Sequence, residues 1–418
     1  MSSATESASP GGARVSDAEL AALRAGVERR LPVFLDDLAT LVNTDCGSYT
    51  PAGVDRIGRW TGAFLERLGA EVSHEPDPEG RLGATVIGTL RGDDGPRLLM
   101  LAHLDTVFEV GTAAARPFRI ADGRAHGPGV TDMKAGLLAG LHALRALHEL
   151  AGSAGLPFER VTFLANPDEE IGSTSSSPHI QRLAAESDAC LVLECARANG
   201  DIVSARKGVA ELRVQVEGKA AHSGVEPEQG RSAILEAAHQ VVALAALNGR
   251  WPGVTLNVGV LRGGTRPNIV PETASYEVDL RAPARADLEA AEAELREIVG
   301  RPTIPETRTA VELLSRHWPM EKGPGAARLA GHAVGLARRL GFELADAATG
   351  GASDGNTTAG LGVPTLDGLG PVGGLDHSPG EYLEIDSIVP RTALLAALIL
   401  AIGRDPAFAA AREGRGAR

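Results

Sequence analysis

Three short apolar runs constrain this chain more than anything else in it: residues 98–102 (LLMLA), 161–165 (VTFLA) and 189–193 (ACLVL). A strand with one wet face alternates apolar and polar residues, and these runs scarcely do. They need cover on both faces, as strands of a parallel sheet between helices have. Segment 84–90 adds a fourth such strand. Helical patterning fills the gaps. Leu137, Leu141 and Leu144 mark one face of 134–150, and Val54, Ile57, Trp60, Phe64 and Leu68 recur at the same spacing until Gly69 stops them. Ser16-Asp17-Ala18-Glu19 is a capping-box pattern that opens a helix running towards Leu41. The expected fold class is α/β with a mostly parallel sheet.

The pattern changes near residue 207. Ala210, Leu212, Val214 and Val216 alternate with polar residues, as in a half-exposed strand. A helix at 231–247, strands at 255–261 and 274–280, a helix at 286–299 and a strand at 307–314 follow. That order, β-α-β-β-α-β, is the ferredoxin-like split unit. Beyond 320 the first pattern resumes, with a helix at 325–340, a glycine-rich loop at 350–355, a strand at 364–366 and a last helix from 387. Pro390 is expected in the first turn of that helix, where proline is tolerated. The expected division is a tail at 1–15, a discontinuous main domain at 16–206 and 318–410, and an inserted domain at 207–317.

Charge excludes some functions. With 41 Lys and Arg against 54 Asp and Glu, the net charge is −13. A nucleic-acid surface or a basic membrane-binding face would carry the opposite balance. No run reaches the roughly 18 apolar residues of a membrane span, the longest being 392–402. Three cysteines, Cys46, Cys190 and Cys195, make no disulfide framework and fit a reducing cytoplasm. The polar opening lacks a signal peptide's apolar core, and both it and 411–418 read as disordered tails.

Metal-ligand residue types gather where an open α/β sheet binds its ligands, past the C-terminal ends of strands. His103 and Asp105 follow the first run, Glu169 and Glu170 the second, and Glu194 the third. Asp132 (HGPGVTDMKAG) and His377 (GGLDHSPGEY) complete the set. Any one of these alone reads as a core histidine or a solvated loop. Together, two histidines and several carboxylates suit a pair of divalent ions, most simply Zn²⁺, with Co²⁺ or Mn²⁺ as alternatives. Neighbouring side chains on a turn rarely reach one ion together. Of Glu169 and Glu170, one can therefore ligate while the other serves as general base. Asp105, two residues past His103, is placed to orient its imidazole.

The segments HLDTV, GPGVTDMKAG, NPDEEIGS, KAAHSG, GGTRPNIVP and GGLDHSPGEY, with Leu193-Glu194, resemble the M20 metallopeptidase family, nearest its glutamate-carboxypeptidase branch. The resemblance implies a zinc-aminopeptidase-like α/β domain carrying a ferredoxin-like lid that dimerises in many relatives. It implies one zinc on His103 and Glu194, another on Glu170 and His377, and Asp132 bridging them. Glu169 becomes the general base, and Asp105 the support of His103. His222 of KAAHSG becomes an oxyanion donor, commonly to a partner subunit's site. Arg266, Asn268 and Arg281 offer further donors to an oxyanion or a substrate carboxylate. The glycine-rich turn Ser353-Asp354-Gly355 offers backbone N–H groups to such a carboxylate. Leu104 and Leu375-Asp376 depart from the residues more usual in the family. The expected activity is hydrolysis of an amide next to a free carboxylate in a small peptide or N-acyl amino acid, with glutamate as the released residue. An aminoacylase or dipeptidase is the alternative, and a non-catalytic binding protein would need a broken metal set.

Overall fold

The computed structural model describes residues 14–152 and 155–415. It divides into two compact units, one built from residues up to Ser204, Lys322–Ala347 and Ser353 onwards, the other from Ala205–Glu321 with Ala348–Ala352. The loop 348–352 joins the second unit through its backbone: Arg206 donates to the Gly351 carbonyl at 3.1 Å, Arg281 to that of Gly350 at 2.9 Å, and the Lys207 amide to that of Thr349 at 3.0 Å. No sequence pattern announces that excursion.

Among the described residues, the first unit holds a six-stranded sheet in the order Glu71–Glu75, Thr85–Arg91, Arg160–Asn166, Arg97–His103, Ala189–Val192, Thr365–Leu366. The last four strands are parallel, but the apolar segment 84–90, expected to be another parallel strand, is not. Thr85–Arg91 is antiparallel to Arg160–Asn166, and Glu71–Glu75 is antiparallel to Thr85–Arg91 in turn. The edge strand Glu71–Glu75 went unnoticed because it is polar and largely exposed. The helix Ala135–Ala151 is buried nearly all round and packs against Ile385–Gly403. It lies close to the sheet because Gly136 has no side chain: a Cβ there would sit 1.9 Å from the Leu193 carbonyl oxygen.

Several sequence expectations need correction. The single helix from Ser16 to Leu41 is two, Asp17–Arg29 and Leu31–Val42, because Pro32 enters the first turn of the second and cannot continue the first. The last helix begins at Ile385, so Pro390 lies in its second turn and leaves the Asp386 carbonyl without an i+4 donor. This helix has 19 residues and a mean hydropathy of 1.9, enough in length and composition to cross a bilayer. It is the central helix of its unit, 67 % buried, against Ala135–Ala151, Asp17–Arg29 and Pro324–Leu340. The tail expected at 1–15 lies outside the described residues as far as residue 13. Val15, however, is buried, and its carbonyl accepts from Arg339 at 2.6 Å. The tail expected at 411–418 is helical to Arg415, within Pro406–Arg415, and 416–418 lie outside the described residues.

The second unit contains a four-stranded antiparallel sheet in the order Thr255–Gly263, Thr273–Ala282, Gly208–Glu217, Arg308–His317. With strands numbered along the chain this is 2-3-1-4, the ferredoxin-like order. Helices Ala233–Ala245 and Arg285–Val299 cover the face that carries Ala210, Leu212, Val214 and Val216. The opposite face presents Glu211, Arg213, Gln215 and Glu217, and Arg213 bridges Glu277 and Glu312 there.

Candidate metal centre

Parallel strands bring their C-terminal ends to one edge, and register decides which residues meet there. His103 pairs with Asn166 and Leu101 with Val192. The Glu169-Glu170 turn and Glu194 therefore emerge on either side of His103. A second contribution is the irregular turn before Ala135–Ala151. It bends at Gly127 (φ +144°) and Gly129 (φ +69°), and a Cβ on Gly129 would lie 2.5 Å from Thr106 Cγ2. Its Asp132 is extended rather than helical (φ −112°, ψ 95°). The third contribution is a small antiparallel sheet, in which Gly373–Gly374 pairs with Tyr382–Glu384 and that with Arg124–His126. The connection between the first two carries His377. Leu375 (φ +57°) and His377 (φ +59°) both take left-handed conformations without being glycine. Such residues cost about 1–3 kcal/mol each and persist where the surroundings hold them.

These three contributions converge on Asp132. His103 Nε2 lies 3.2 Å from Asp132 Oδ1, and His377 Nε2 lies 3.0 Å from Oδ2. One carboxylate thus presents each of its oxygens to a different imidazole. His377 Nε2 is also 3.2 Å from Glu170 Oε2, and His103 Nε2 is 3.8 Å from Glu194 Oε1. Two groups, His103–Glu169–Glu194 and His103–Asp132–Glu170, keep their ligand atoms within 4.8 Å of one another. Asp105 receives the Glu169 and Glu170 amides at 3.2 Å each and the Ser48 hydroxyl at 2.6 Å. Its carbonyl, at 3.0 Å, stands nearer to His103 Nδ1 than its carboxylate at 3.4 Å, so the backbone is the closer support of that imidazole.

Crowded acids set the electrostatics. Burial and the neighbouring Glu194 hold Glu169 well above the usual carboxylate range, and burial also raises Glu170 against the pull of His377. Burial works against charge on His103, yet Glu194, Asp105 and Asp132 hold its proton firmly. Bonds to Asp132 and Glu170 push His377 up to about 11. Burial opposes ionisation of Asp132, but the two histidines hold it well below the usual range. So much negative charge in one buried place calls for cations. Glu170 Oε1, buried and with no hydrogen-bond partner, is a donor atom awaiting one. The donor set fits divalent ions.

The other expected residues fall elsewhere. His222, Arg266, Asn268 and Arg281 all belong to the second unit. His222, Arg266 and Asn268 are exposed. His222 Nδ1 accepts the Gly224 amide at 3.1 Å, which leaves the proton of a neutral ring on Nε2. Arg281 is not a free fork: it holds Asp279 through Nε and Nη2 at 2.8 and 2.9 Å. Ser353 and Gly355 are likewise already engaged. The Ser353 amide donates to Asn356 Oδ1 and the Gly355 amide to Ser353 Oγ, both at 3.0 Å, because the turn is the capped start of the helix Asp354–Gly360. Asp354 points into the protein, where it accepts from Ser173 at 2.5 Å and Asn166 at 2.9 Å, and burial pushes it up to about 6.

Sequence reasoning missed a supporting layer. Asp168, fully buried, accepts from Ser176 Oγ at 2.5 Å and the Ser175 amide at 2.6 Å, and so ties down the loop after Glu170. Ser48 and Glu381 act on Asp105 and on the Asp132 turn. Glu381 stood within a motif already singled out, but its partners lie some 250 residues away, where no local pattern reaches.

Comparison with known proteins agrees with this geometry. Residues 99–401 match Peptidase family M20/M25/M40. Carboxypeptidase G2 of Pseudomonas sp. (strain RS-16) is 31 % identical over 375 residues, covering 89 % of this chain and 90 % of that one. Succinyl-diaminopimelate desuccinylase of Dechloromonas aromatica (strain RCB) is 26 % identical over 331 residues, covering 75 % and 85 %. The crystal structure of the aminopeptidase PepT from Bacillus cereus ATCC 10987 superposes with a TM-score of 0.75 at 25 % identity, covering 89 % and 98 %. Residues 99–401 take in the acid–histidine cluster and the inserted unit alike, and the chain belongs to peptidase family M20/M25/M40, whose members are metal-dependent peptidases and amidohydrolases.

Proposed function

We propose that this protein is a dinuclear, zinc-dependent hydrolase that cleaves an amide next to a free carboxylate and releases a C-terminal glutamate or a similar amino acid. The observation that carries this reading is Asp132, whose two oxygens face two different histidines. In it, His103 and Glu194 would hold one ion and Glu170 and His377 the other, with Asp132 available to both. Bound ions would polarise the scissile carbonyl and make water a better nucleophile at neutral pH. Nε2 of His103 and of His377 would each have to be deprotonated to hold an ion. Glu169 takes the proton from the attacking water and returns it to the leaving amine. Asp105 and Ser48 hold the Glu169 backbone in place for both transfers. With its ring proton on Nε2, His222 has the tautomer an oxyanion donor needs.

The test is metal content together with turnover on a panel of peptidyl and N-acyl amino acids, before and after chelation. About two metal equivalents and chelator-sensitive release of glutamate are expected. Release of a short acyl acid from acetyl or succinyl substrates, without peptide cleavage, would replace the carboxypeptidase reading with that of an N-acyl-amino-acid hydrolase. The desuccinylase relative keeps that second reading open.

A homodimer through the inserted unit accompanies this proposal. The outer face of the helix Ala233–Ala245 is apolar, with Val242 72 % and Leu235 48 % exposed, and the neighbouring edge strand Thr255–Gly263 leaves Leu261 52 % exposed. Light scattering should give twice the chain mass, and Val242→Asp should halve it. A wild-type chain that runs as a monomer at micromolar concentration rules the dimer out.

A further inference from the structure

Glu381 is a buried acid outside the ligand set that is bound by backbone amides alone. It is 1 % exposed, and no ion pair with a basic side chain within 4 Å is found for it among the described residues. Its partners are backbone amides of a single turn. Oε2 accepts from Gly129 at 2.9 Å, and Oε1 from Thr131 at 2.9 Å and Asp132 at 3.1 Å. In a regular helix those amides would find carbonyls four residues back. Here Asp132 and Met133 leave helical geometry, and the side chain of Glu381 substitutes for the missing acceptors. Four residues before Glu381, His377 reaches the carboxylate end of the same Asp132 at 3.0 Å. One short segment thus grips Asp132 twice, at its amide and at its Oδ2. That segment is anchored by Tyr382–Glu384, which pairs with Arg124–His126 just before the turn begins.

We infer that Glu381 is a positioning residue for the bridging carboxylate, holding the turn 129–132 so that Asp132 spans both ion sites. This rests on the dinuclear reading proposed above. An acid was needed because three converging N–H groups require an acceptor with two oxygens and no hydrogen of its own. Glutamine offers one oxygen and sets an N–H₂ against either Gly129 or the other two amides.

The test compares wild-type protein with Glu381→Gln, Glu381→Asp and the control Glu384→Gln, which removes only the pair with Arg124 on the neighbouring strand. Chelated protein is titrated with Co²⁺, followed by visible absorption and calorimetry. The melting temperature of each chelated form is recorded alongside. Glu381→Gln should melt close to wild type yet bind Co²⁺ about 10–100-fold more weakly, with an altered spectrum. Its kcat should fall with KM little changed. Glu381→Asp, which keeps the charge on a shorter arm, should recover part of the affinity, and Glu384→Gln should match wild type. Wild-type Co²⁺ affinity and spectrum in Glu381→Gln would overturn the inference and leave the dinuclear reading standing. If both Glu381 variants lose their melting transition when chelated, Glu381 serves the fold at large and the inference also fails. A wild-type protein that takes up no Co²⁺ would remove the dinuclear reading and this inference with it.

Discussion

Glu169→Gln should reduce turnover by about 10²–10⁴-fold, the range that a positioned general base contributes, while two equivalents of metal stay bound. The substitution keeps the shape of the side chain and removes only its capacity to take a proton. The amide that fixes the turn, Glu169 N to Asp105 Oδ1 at 3.2 Å, is backbone and survives it. The contacts among His103, Asp132, His377 and Glu170 do not pass through Glu169. KM should therefore change little. A pH signature should accompany the loss. Burial and Glu194 raise the pKa of Glu169, and a base works only when deprotonated. Wild-type kcat should fall in acid as Glu169 takes up a proton. The variant's residual rate should lack that acid limb. A Glu169→Gln enzyme that turns over near the wild-type rate would remove Glu169 from the mechanism.

Chelation has the second large effect, and it reaches stability as well as activity. Turnover should vanish and return on adding Zn²⁺. Ligand that binds only the folded chain stabilises it by about 4 kcal/mol at a thousandfold excess over its dissociation constant. The metal-free protein should also show an unusual pH dependence. Glu169, Glu170 and Asp354 (about 6) are all raised by burial, so the folded chain keeps protons that the unfolded chain has lost. Between the unfolded carboxylate values and these raised ones, stability falls as pH rises. The histidines act in the same direction. His103 and His377 (about 11) are raised from 6.5, so their contribution is full below pH 6.5 and is lost as pH climbs towards the folded values. Asp132 opposes them only in acid, where its depressed value makes it stabilising above 3.8 and less so below. Chelated protein should be most stable near pH 5 and weaken steadily towards pH 9, on the order of 1.4 kcal/mol per unit for each excess proton held. Loaded protein should show a much flatter profile, because ions replace the protons. A chelated protein whose melting temperature rises from pH 5 to pH 8 would contradict this account.

The six-stranded sheet and the inserted β-α-β-β-α-β unit were legible because they depend on local periodicity. Unbroken apolar runs marked the parallel strands, and strict alternation marked Gly208–Glu217. Most boundaries fell within two residues, but the strand expected to end at 314 runs to His317, and the helix expected from Ser16 to Leu41 breaks before Pro32. The polar edge strand Glu71–Glu75 escaped, since an exposed strand has no apolar signature. Ligand types at strand ends pointed to a centre, because residue chemistry and strand direction are both written locally. The occupation of Arg281 by Asp279, and of the Ser353 and Gly355 amides by their own cap, were not. A free donor and an engaged one have the same sequence.

By itself the sequence determined which side chains are available, which segments are strands or helices, and on which edge of the sheet the acids and histidines emerge. Tertiary structure alone decided how they meet. Strand register set His103 beside Asn166, the missing side chain of Gly136 let a helix seat against Leu193, and Glu381 closed a turn some 250 residues away. Periodicity is a short-range property of the chain, whereas hydrogen-bond satisfaction and close approach are settled only when distant segments compete for the same buried space.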